Sequence, residues 1–218
     1  MKKYIAVAGN IGVGKTTLVE MLCQRLKFQP FLEPYSENPY LKDFYDSMET
    51  WSFHSQIYFL TQRIRLHQQL ERSTVSIVQD RSIYEDAEIF ARNLYIQKKM
   101  TERDYNTYYN LYETITRFLT PPDLVIYLRS EVPVLESRIR SRSRSFEQEI
   151  PNAYLCQLND LYEDWISRFN FCPVLTIPAD ALDFVKYPQH LDLIVSKVKE
   201  KLTGKDEVIF YPEEVNRI

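Results

Sequence analysis

The 218-residue chain is poor in the residues that build metal and disulfide scaffolds. Its three cysteines, Cys23, Cys156 and Cys172, are odd in number, far apart and without CxxC spacing, which argues against a disulfide framework and a zinc site. Its three histidines, His54, His67 and His190, have no ligand spacing and no serine or cysteine nucleophile context, so they read as structural or surface residues. Neither sign of charge dominates: the net charge is -3 and the pI near 5.7, which leaves no overall electrostatic footprint for nucleic acid or an anionic membrane. No apolar run approaches the length of a membrane span. Lys2 and Lys3 precede an Ala6-Val7-Ala8 triplet, as in a secretory leader, yet only Tyr4 and Ile5 separate them. A reducing cytoplasmic setting is therefore expected.

Glycine is scarce as well. There are four, and three of them, Gly9, Gly12 and Gly14, fall within six consecutive positions of "GNIGVGKTT". A chain that spends its glycines in one place needs bare backbone there. With 44% apolar and 26% charged residues there is enough for a large core, and the length suits one α/β domain. That domain is expected over residues 1–203, with 204–218 as a tail to which no period assigns a role.

Short, nearly unbroken apolar runs at 3–8, 28–32, 75–79, 123–128 and 173–177 predict strands covered on both faces, with 28–32 the weakest. Amphipathic stretches at 15–27, 37–48, 51–71, 82–97, 101–119, 131–143, 152–169 and 189–202 predict helices between them. Five strands alternating with helices imply a doubly wound parallel sheet, and such sheets hold ligands at the carboxyl ends of their strands. The residues that follow the strands are therefore the candidates: the glycine loop, Glu33-Pro34, Asp80-Arg81-Ser82 and Arg129.

The glycine segment matches G-x-x-x-x-G-K-[ST] through Gly9, Gly14, Lys15 and Thr16, after a strand and before a helix. Successive backbone N–H groups from Gly9 through Asn10, Ile11, Gly12, Val13, Gly14, Lys15, Thr16 and Thr17 can wrap a phosphate chain, and a Cβ at the tightest points would collide with it. Lys15 then reaches the β/γ-phosphates and the Thr16 hydroxyl is placed to ligate Mg²⁺. A ligand-free glycine turn would not require that Lys and Thr. Transfer of a phosphoryl group to a hydroxyl further needs a carboxylate to take the acceptor's proton. Glu33 is placed for that, Asp80 for the metal side, and Arg81 for the phosphates or for orienting Glu33. Gln56 and Arg63, seven residues apart, project from one face of a predicted helix about 10 Å apart along its axis. Taken alone, that pair also reads as a solvated polar face.

Six segments in order, "GNIGVGKTT", "EPYSENPYLKDFY", "WSFHSQIYFLTQRIR", "DRSIYED", "PDLVIYLRS" and "RIRSRSRSFEQEIPNAYL", resemble the deoxynucleoside kinase family, in its deoxyadenosine/deoxycytidine/deoxyguanosine kinase branch. The resemblance implies a P-loop kinase fold with a five-stranded parallel sheet in order 2-3-1-4-5, helices on both faces and an Arg-rich lid at about 138–150. It implies transfer of the γ-phosphoryl of ATP, with Mg²⁺, to the 5′-hydroxyl of a deoxynucleoside in nucleotide salvage, by a homodimer.

By the same resemblance Glu33 is the base, Arg81 its partner and Asp80 the metal-side carboxylate. This chain has Asp-Arg-Ser where the family usually has Glu-Arg-Ser. Tyr45 and Glu147 match the pair on the sugar 3′-hydroxyl, and Gln56, Arg63 and Asp86 the set that reads the base. Arg138, Arg142 and Arg144 match the lid over ATP, Arg140 has no counterpart, and Asp183-Phe184 resembles the loop near the donor adenine. The alternatives from sequence are a nucleoside monophosphate kinase of the thymidylate type, for which Glu33 would have no purpose, and a non-catalytic nucleotide-binding regulatory subunit. The "RSRSRS" run at 140–145 is too short, in an acidic protein, to indicate nucleic acid.

Overall fold

The computed structural model describes residues 2–32, 38–142, 150–205 and 208–216. Five strands, β1 (Tyr4–Gly9), β2 (Gln29–Phe31), β3 (Ile77–Asp80), β4 (Leu124–Arg129) and β5 (Val174–Pro178), form one parallel sheet in the order β2-β3-β1-β4-β5. This is the expected P-loop kinase topology. The strands read as continuous apolar runs because alternate residues serve opposite faces, both of them covered. Ile5, Val7, Ile126 and Leu128 pack with Leu18 and Leu22 of α1 (Lys15–Leu26) and with Ile194 and Val198 of α9 (Pro188–Leu202). Ala6, Ala8, Val125 and Tyr127 point the other way, to Leu60 of α3 (Met48–Arg72), Tyr108 of α6 (Glu102–Thr116) and Tyr162 of α8 (Asn152–Arg168). The edge strand β2 is three residues long and carries Pro30, which cannot donate to a ladder and is tolerated where one side is open.

The remaining helices depart from the expected bounds in instructive ways. The helix expected over 37–48 is shorter: Asn38 Oδ1 accepts from the Tyr40 N–H at 2.9 Å, and α2 (Leu41–Asp46) follows that turn. Ser47, in extended backbone at φ -150°, separates α2 from α3, so α3 begins three residues before the expected 51. The helix expected at 82–97 is α4 (Ile83–Glu85) and α5 (Arg92–Ile96) joined by a π-helical stretch, Asp86–Ala91. Such stretches occur mostly at functional sites, and Asp86 lies at the start of this one. α7 (Val132–Arg142) carries Arg138 and Arg142 and ends where the described residues stop. The tail, to which the sequence assigned no role, contains α10 (Pro212–Asn216), anchored by an ion pair from Lys197 Nζ of α9 to Glu214 Oε1 at 2.8 Å. Among the described residues no helix is long and apolar enough to cross a membrane.

Register positions the site. Val7 pairs with Asp80 and Gly9 with Leu128, so the glycine loop leaves the sheet between the ends of β3 and β4. Gly9 has φ 147°, and a Cβ there would lie 2.8 Å from the Leu128 carbonyl oxygen. Gly9→Ala is expected to lose about 1–3 kcal/mol from the backbone strain alone, or roughly 2–12 °C of Tm at this chain length, as measured by thermal unfolding; an unchanged Tm would contradict the strand-end geometry.

Candidate active site

At the end of β1 the loop turns through Gly12, φ 81°, where a Cβ would meet Ile139 of α7 at 2.6 Å. The loop is also braced from outside. The Asn10 amide donates to Leu155 O at 3.0 Å and to Asn159 Oδ1 at 2.6 Å on α8, and Asn10 Oδ1 accepts from the Ile11 N–H at 2.7 Å. The buried Lys15 ammonium donates to Gly9 O at 2.8 Å and Asn10 O at 2.9 Å, inside the concavity formed by its own loop. Thr16 Oγ1 donates to Asp80 Oδ2 at 2.5 Å. Asp80 is 3% exposed and its second oxygen, Oδ1, is buried without a hydrogen-bond partner among the described residues. A buried carboxylate oxygen left bare costs free energy unless a cation or donor meets it, so Thr16 and Asp80 fit the expected divalent ion.

The turn after β3 is strained. Arg81 adopts φ 63°, the left-handed region that a branched side chain avoids. Three contacts hold it there: the Arg81 N–H donates to Val7 O at 3.0 Å, Arg63 Nη1 donates to Arg81 O at 2.8 Å, and the same nitrogen donates to Asp80 O at 3.1 Å. The Arg81 guanidinium lies 4.2 Å from the centre of the Phe90 ring, which supports it by cation–π attraction. Ser82 and Glu85 then form a reciprocal capping box that starts α4.

Two cavities open at this end of the sheet. One lies along the loop and is lined by Gly12, Val13, Gly14, Lys15, Thr16 and Thr17 together with Arg138, Arg142, Asp183 and Phe184. The other is deeper: it is lined by Tyr45, Gln56, Arg81 and Asp86 among apolar walls from Phe44, Phe59, Phe90 and Tyr154. Gly12, Lys15, Thr16 and Arg142 border both. Behind the lining of this second cavity Arg63 Nε donates to Asp86 Oδ2 at 3.0 Å and Nη2 to Oδ1 at 3.4 Å, with both side chains at most 5% exposed. Asp86 is thereby held as an acceptor facing the space beside Gln56.

The structure therefore brings most of the candidate residues that it describes to two adjoining cavities or directly behind them, whereas Arg129, at the end of β4, turns to Glu163 at 2.9 Å. Arg138 takes a bracing part here, its guanidinium donating to Val13 O at 3.0 Å and Ala179 O at 2.9 Å. Asp183 turns its carboxylate to the Val185 and Lys186 N–H groups. Glu33, Arg144 and Glu147 lie outside the described residues.

Sequence reasoning left several site residues unnamed: the cavity aromatics Phe44, Phe59, Phe90 and Tyr154, and the polar set Glu85, Asn159 and Tyr162 behind the loop. Glu85 carried a readable signal, the Ser-x-x-Glu spacing of a capping box. Burial pushes its carboxyl above the ordinary glutamate value, while Arg81, Lys15, the Ser82 N–H and the Tyr162 hydroxyl pull it back in part. The same burial raises the Tyr162 phenol well above its usual value, so it remains a donor.

A parallel sheet with a braced glycine loop, a lysine and a threonine at its exit and a carboxylate-arginine turn one strand away defines a P-loop phosphotransferase, with room for a second substrate beside the phosphate cradle. The chain belongs to the deoxynucleoside kinase family, whose profile, described as "Deoxynucleoside kinase", it matches over residues 5–203. It is 40% identical over 196 residues to a deoxyadenosine/deoxycytidine kinase of Bacillus subtilis, covering 89% of this chain and 90% of that one. It is 33% identical to a deoxyguanosine kinase of the same organism, with 90% and 96% covered. Among solved structures it resembles deoxyadenosine kinase from M. mycoides with products dCMP and a flexible dCDP bound, at a TM-score of 0.81 and 32% identity, over 90% of this chain and 99% of that one. It is accordingly an ATP-dependent phosphotransferase acting on deoxynucleosides.

The buried Arg63–Asp86 pair yields a stability prediction. Removing one partner strands the other charge in a low-dielectric interior, so Arg63→Met is expected to cost about 3–5 kcal/mol. The double change with Asp86→Ala should recover part of that loss. Urea unfolding of the two variants checks it, and a double variant less stable than Arg63→Met would contradict the pairing.

Proposed function

We propose that this chain transfers the γ-phosphoryl group of ATP to the 5′-hydroxyl of deoxyadenosine or deoxycytidine, with deoxyguanosine an intermediate substrate and thymidine a poor one. The observation that carries the reading is the shared border of the two cavities. Lys15, Thr16 and Arg142 stand between a phosphate-wrapping loop and an apolar slot with polar groups at its far end. ATP occupies the loop side, its phosphates on the backbone N–H groups and Lys15, its adenine toward Asp183-Phe184, with Arg138, Arg142 and Arg144 as the covering lid. The deoxynucleoside occupies the slot, its base between the aromatic walls and its 3′-hydroxyl on Tyr45 and Glu147.

Phosphoryl transfer asks the protein for positioning and for positive charge where negative charge develops. Lys15 and Arg142 supply that charge along the shared border, and Arg81 from the wall of the second cavity. Glu33 takes the proton from the 5′-hydroxyl, and Arg81 orients it. Thr16 and Asp80 hold Mg²⁺, whose contribution when bound is to neutralise charge on the β- and γ-phosphate oxygens. The setting proposed is a cytoplasmic homodimer in nucleotide salvage, supported by three thiols that are free and by apolar side chains left exposed on α6 and its C-terminal end, Leu111 and Phe118.

Base choice follows from donors and acceptors in a dry pocket. Gln56 offers one acceptor and two donors, which match the ring nitrogen and exocyclic amine shared by adenine and cytosine. Asp86, held by Arg63, only accepts. An amine beside it is satisfied, whereas the thymine carbonyl sets two acceptors face to face, and unpaired buried polar groups cost on the order of 10⁴-fold in discrimination. Curated relatives of the chain are named for adenine, cytosine, guanine and thymidine substrates, so this preference rests on the pocket's chemistry.

Labelled γ-phosphate transfer to the four deoxynucleosides and to their monophosphates tests the reading: deoxynucleosides are the expected acceptors, and transfer to monophosphates alone would overturn it. Thymidine as the best of the four would overturn the base assignment. Glu33→Gln is expected to keep nucleoside binding and lower kcat by about 10²-fold or more, since general base catalysis contributes about 10²–10⁴. Wild-type turnover in that variant would remove Glu33 from the mechanism.

A further inference from the structure

Glu85 lines neither cavity and is fully buried, yet it is the point where three parts of the site meet. Its Oε1 accepts from the Gly9 N–H at 3.3 Å and from the Tyr162 hydroxyl at 2.8 Å. Its Oε2 accepts from the Ser82 N–H at 2.8 Å and from the Ser82 hydroxyl at 3.4 Å. One carboxylate thus joins the start of the phosphate loop, the residue that follows Asp80-Arg81, and α8. Lys15 and Arg81, the two buried cations nearest the phosphate path, are also its nearest positive charges.

A helix cap needs only part of this. The capping box uses the carboxyl group's Oε2 on Ser82, and a glutamine serves that box equally well. The second oxygen and the full negative charge are left over from the capping role, and both are directed to the loop and its cations. We propose that Glu85 is a positioning residue for phosphoryl transfer, tying the first N–H of the phosphate loop to the Asp80-Arg81-Ser82 turn and acting as the buried counter-charge that keeps Lys15 and Arg81 in place between the two substrates.

The electrostatics separate this role from a structural one. Burial raises the Glu85 carboxyl, so the folded protein favours the protonated group more than the unfolded chain does. The sign follows: protonated Glu85 favours folding in acid, and that contribution is lost as pH rises through the raised value. The groups that face it are Lys15 from α1, Arg81 from the β3 turn, Tyr162 from α8, and more distantly Tyr4 of β1 and Tyr127 of β4. A carboxyl group buried against its own ionisation, with one oxygen accepting from the loop N–H, is placed by the site and not by the helix cap alone.

Glu85→Gln is the decisive variant because it keeps shape and cap. Its amide nitrogen, placed at Oε1, is accepted by Tyr162, and only the Gly9 tie and the charge are lost. Expected is a fall of about 10- to 10²-fold in kcat/KM for ATP, the effect of one hydrogen bond to a charged group. The loss should fall on kcat and on KM for ATP, with KM for the deoxynucleoside unchanged and Tm equal to or above that of the wild type. The wild-type to variant ratio of kcat/KM should shrink toward one as pH is lowered, since protonation then gives the wild type the same neutral group. Unchanged kcat/KM for ATP, or activity lost together with a lowered Tm, overturns the proposal.

Tyr162→Phe is the second arm. It withdraws one donor from the carboxylate, so the pH below which activity falls should lie higher than in the wild type, and an identical profile counts against the proposal. The inference rests on the phosphoryl-transfer reading, which the turnover of the unmutated protein tests by itself.

Discussion

The guanidinium of Arg63 is the contact on which the site's geometry turns. It arises in the middle of the 25-residue α3 and reaches across to the end of β3, where one nitrogen satisfies two successive carbonyls, those of Asp80 and Arg81. Carbonyls at a strand end normally meet water or the next element. Here they are buried, and without a donor each would cost about 1–3 kcal/mol. Arg81 can stay in a left-handed conformation only because its carbonyl, its N–H and its side chain are all held. The same Arg63 fixes Asp86 through its other nitrogens, so the groups proposed to select the base and to carry catalytic charge are held by one side chain. A shift of α3 would move both at once.

The charge balance around that contact is close. Lys15, Arg63 and Arg81 are buried, and so are Asp80, Glu85 and Asp86. Within this shell the cations are already met by carboxylates, which is how three of them can sit in the interior. A triphosphate brings further negative charge, and the interior has little excess positive charge to receive it. The remaining described cation on the shared border is Arg142, exposed at the last turn of α7. In the proposed reading, charge that arrives with the nucleotide is met from the surface by Arg142, whereas charge that must be exact in position is held from within.

Much of this was readable in the chain. The glycine loop was legible because its spacing is local and each residue has a separate physical task, and the parallel sheet because runs such as "YIAVAG" and "LVIYLR" stay apolar at both parities. The π-helical stretch was not. Asp86–Ala91 differs from α-helix by one extra residue in a turn, too small a change in period to show over six residues. The break at Ser47 was missed for a related reason, since α2 and α3 are both amphipathic and only one extended residue parts them. Asn10 was read as a phosphate contact through its backbone N–H, and what the sequence did not show is that its side chain faces α8, a contact that depends on Asn159, 149 residues along the chain. Tyr162 and the loop contact of Glu85 were invisible for the same reason. Local spacing shows a cap, and only tertiary contact shows what else the cap touches.

The acid at position 80 brings these strands of argument together. An aspartate is one methylene shorter than a glutamate, and a shorter reach at the position proposed to face the metal demands that the backbone come closer. Register provides for this: Asp80 pairs with Val7, two residues before the loop begins, and its backbone is drawn in by the Arg63 and Val7 contacts on either side. The result is a 2.5 Å contact between Asp80 Oδ2 and the Thr16 hydroxyl, with Oδ1 still uncommitted. A longer side chain on the same backbone would overshoot Thr16 or fold back on itself, so the short acid and the strained left-handed turn that follows it form one solution. The strain at Arg81 is then explained by the need to turn the chain sharply, directly after a residue whose carboxylate must stay near the loop.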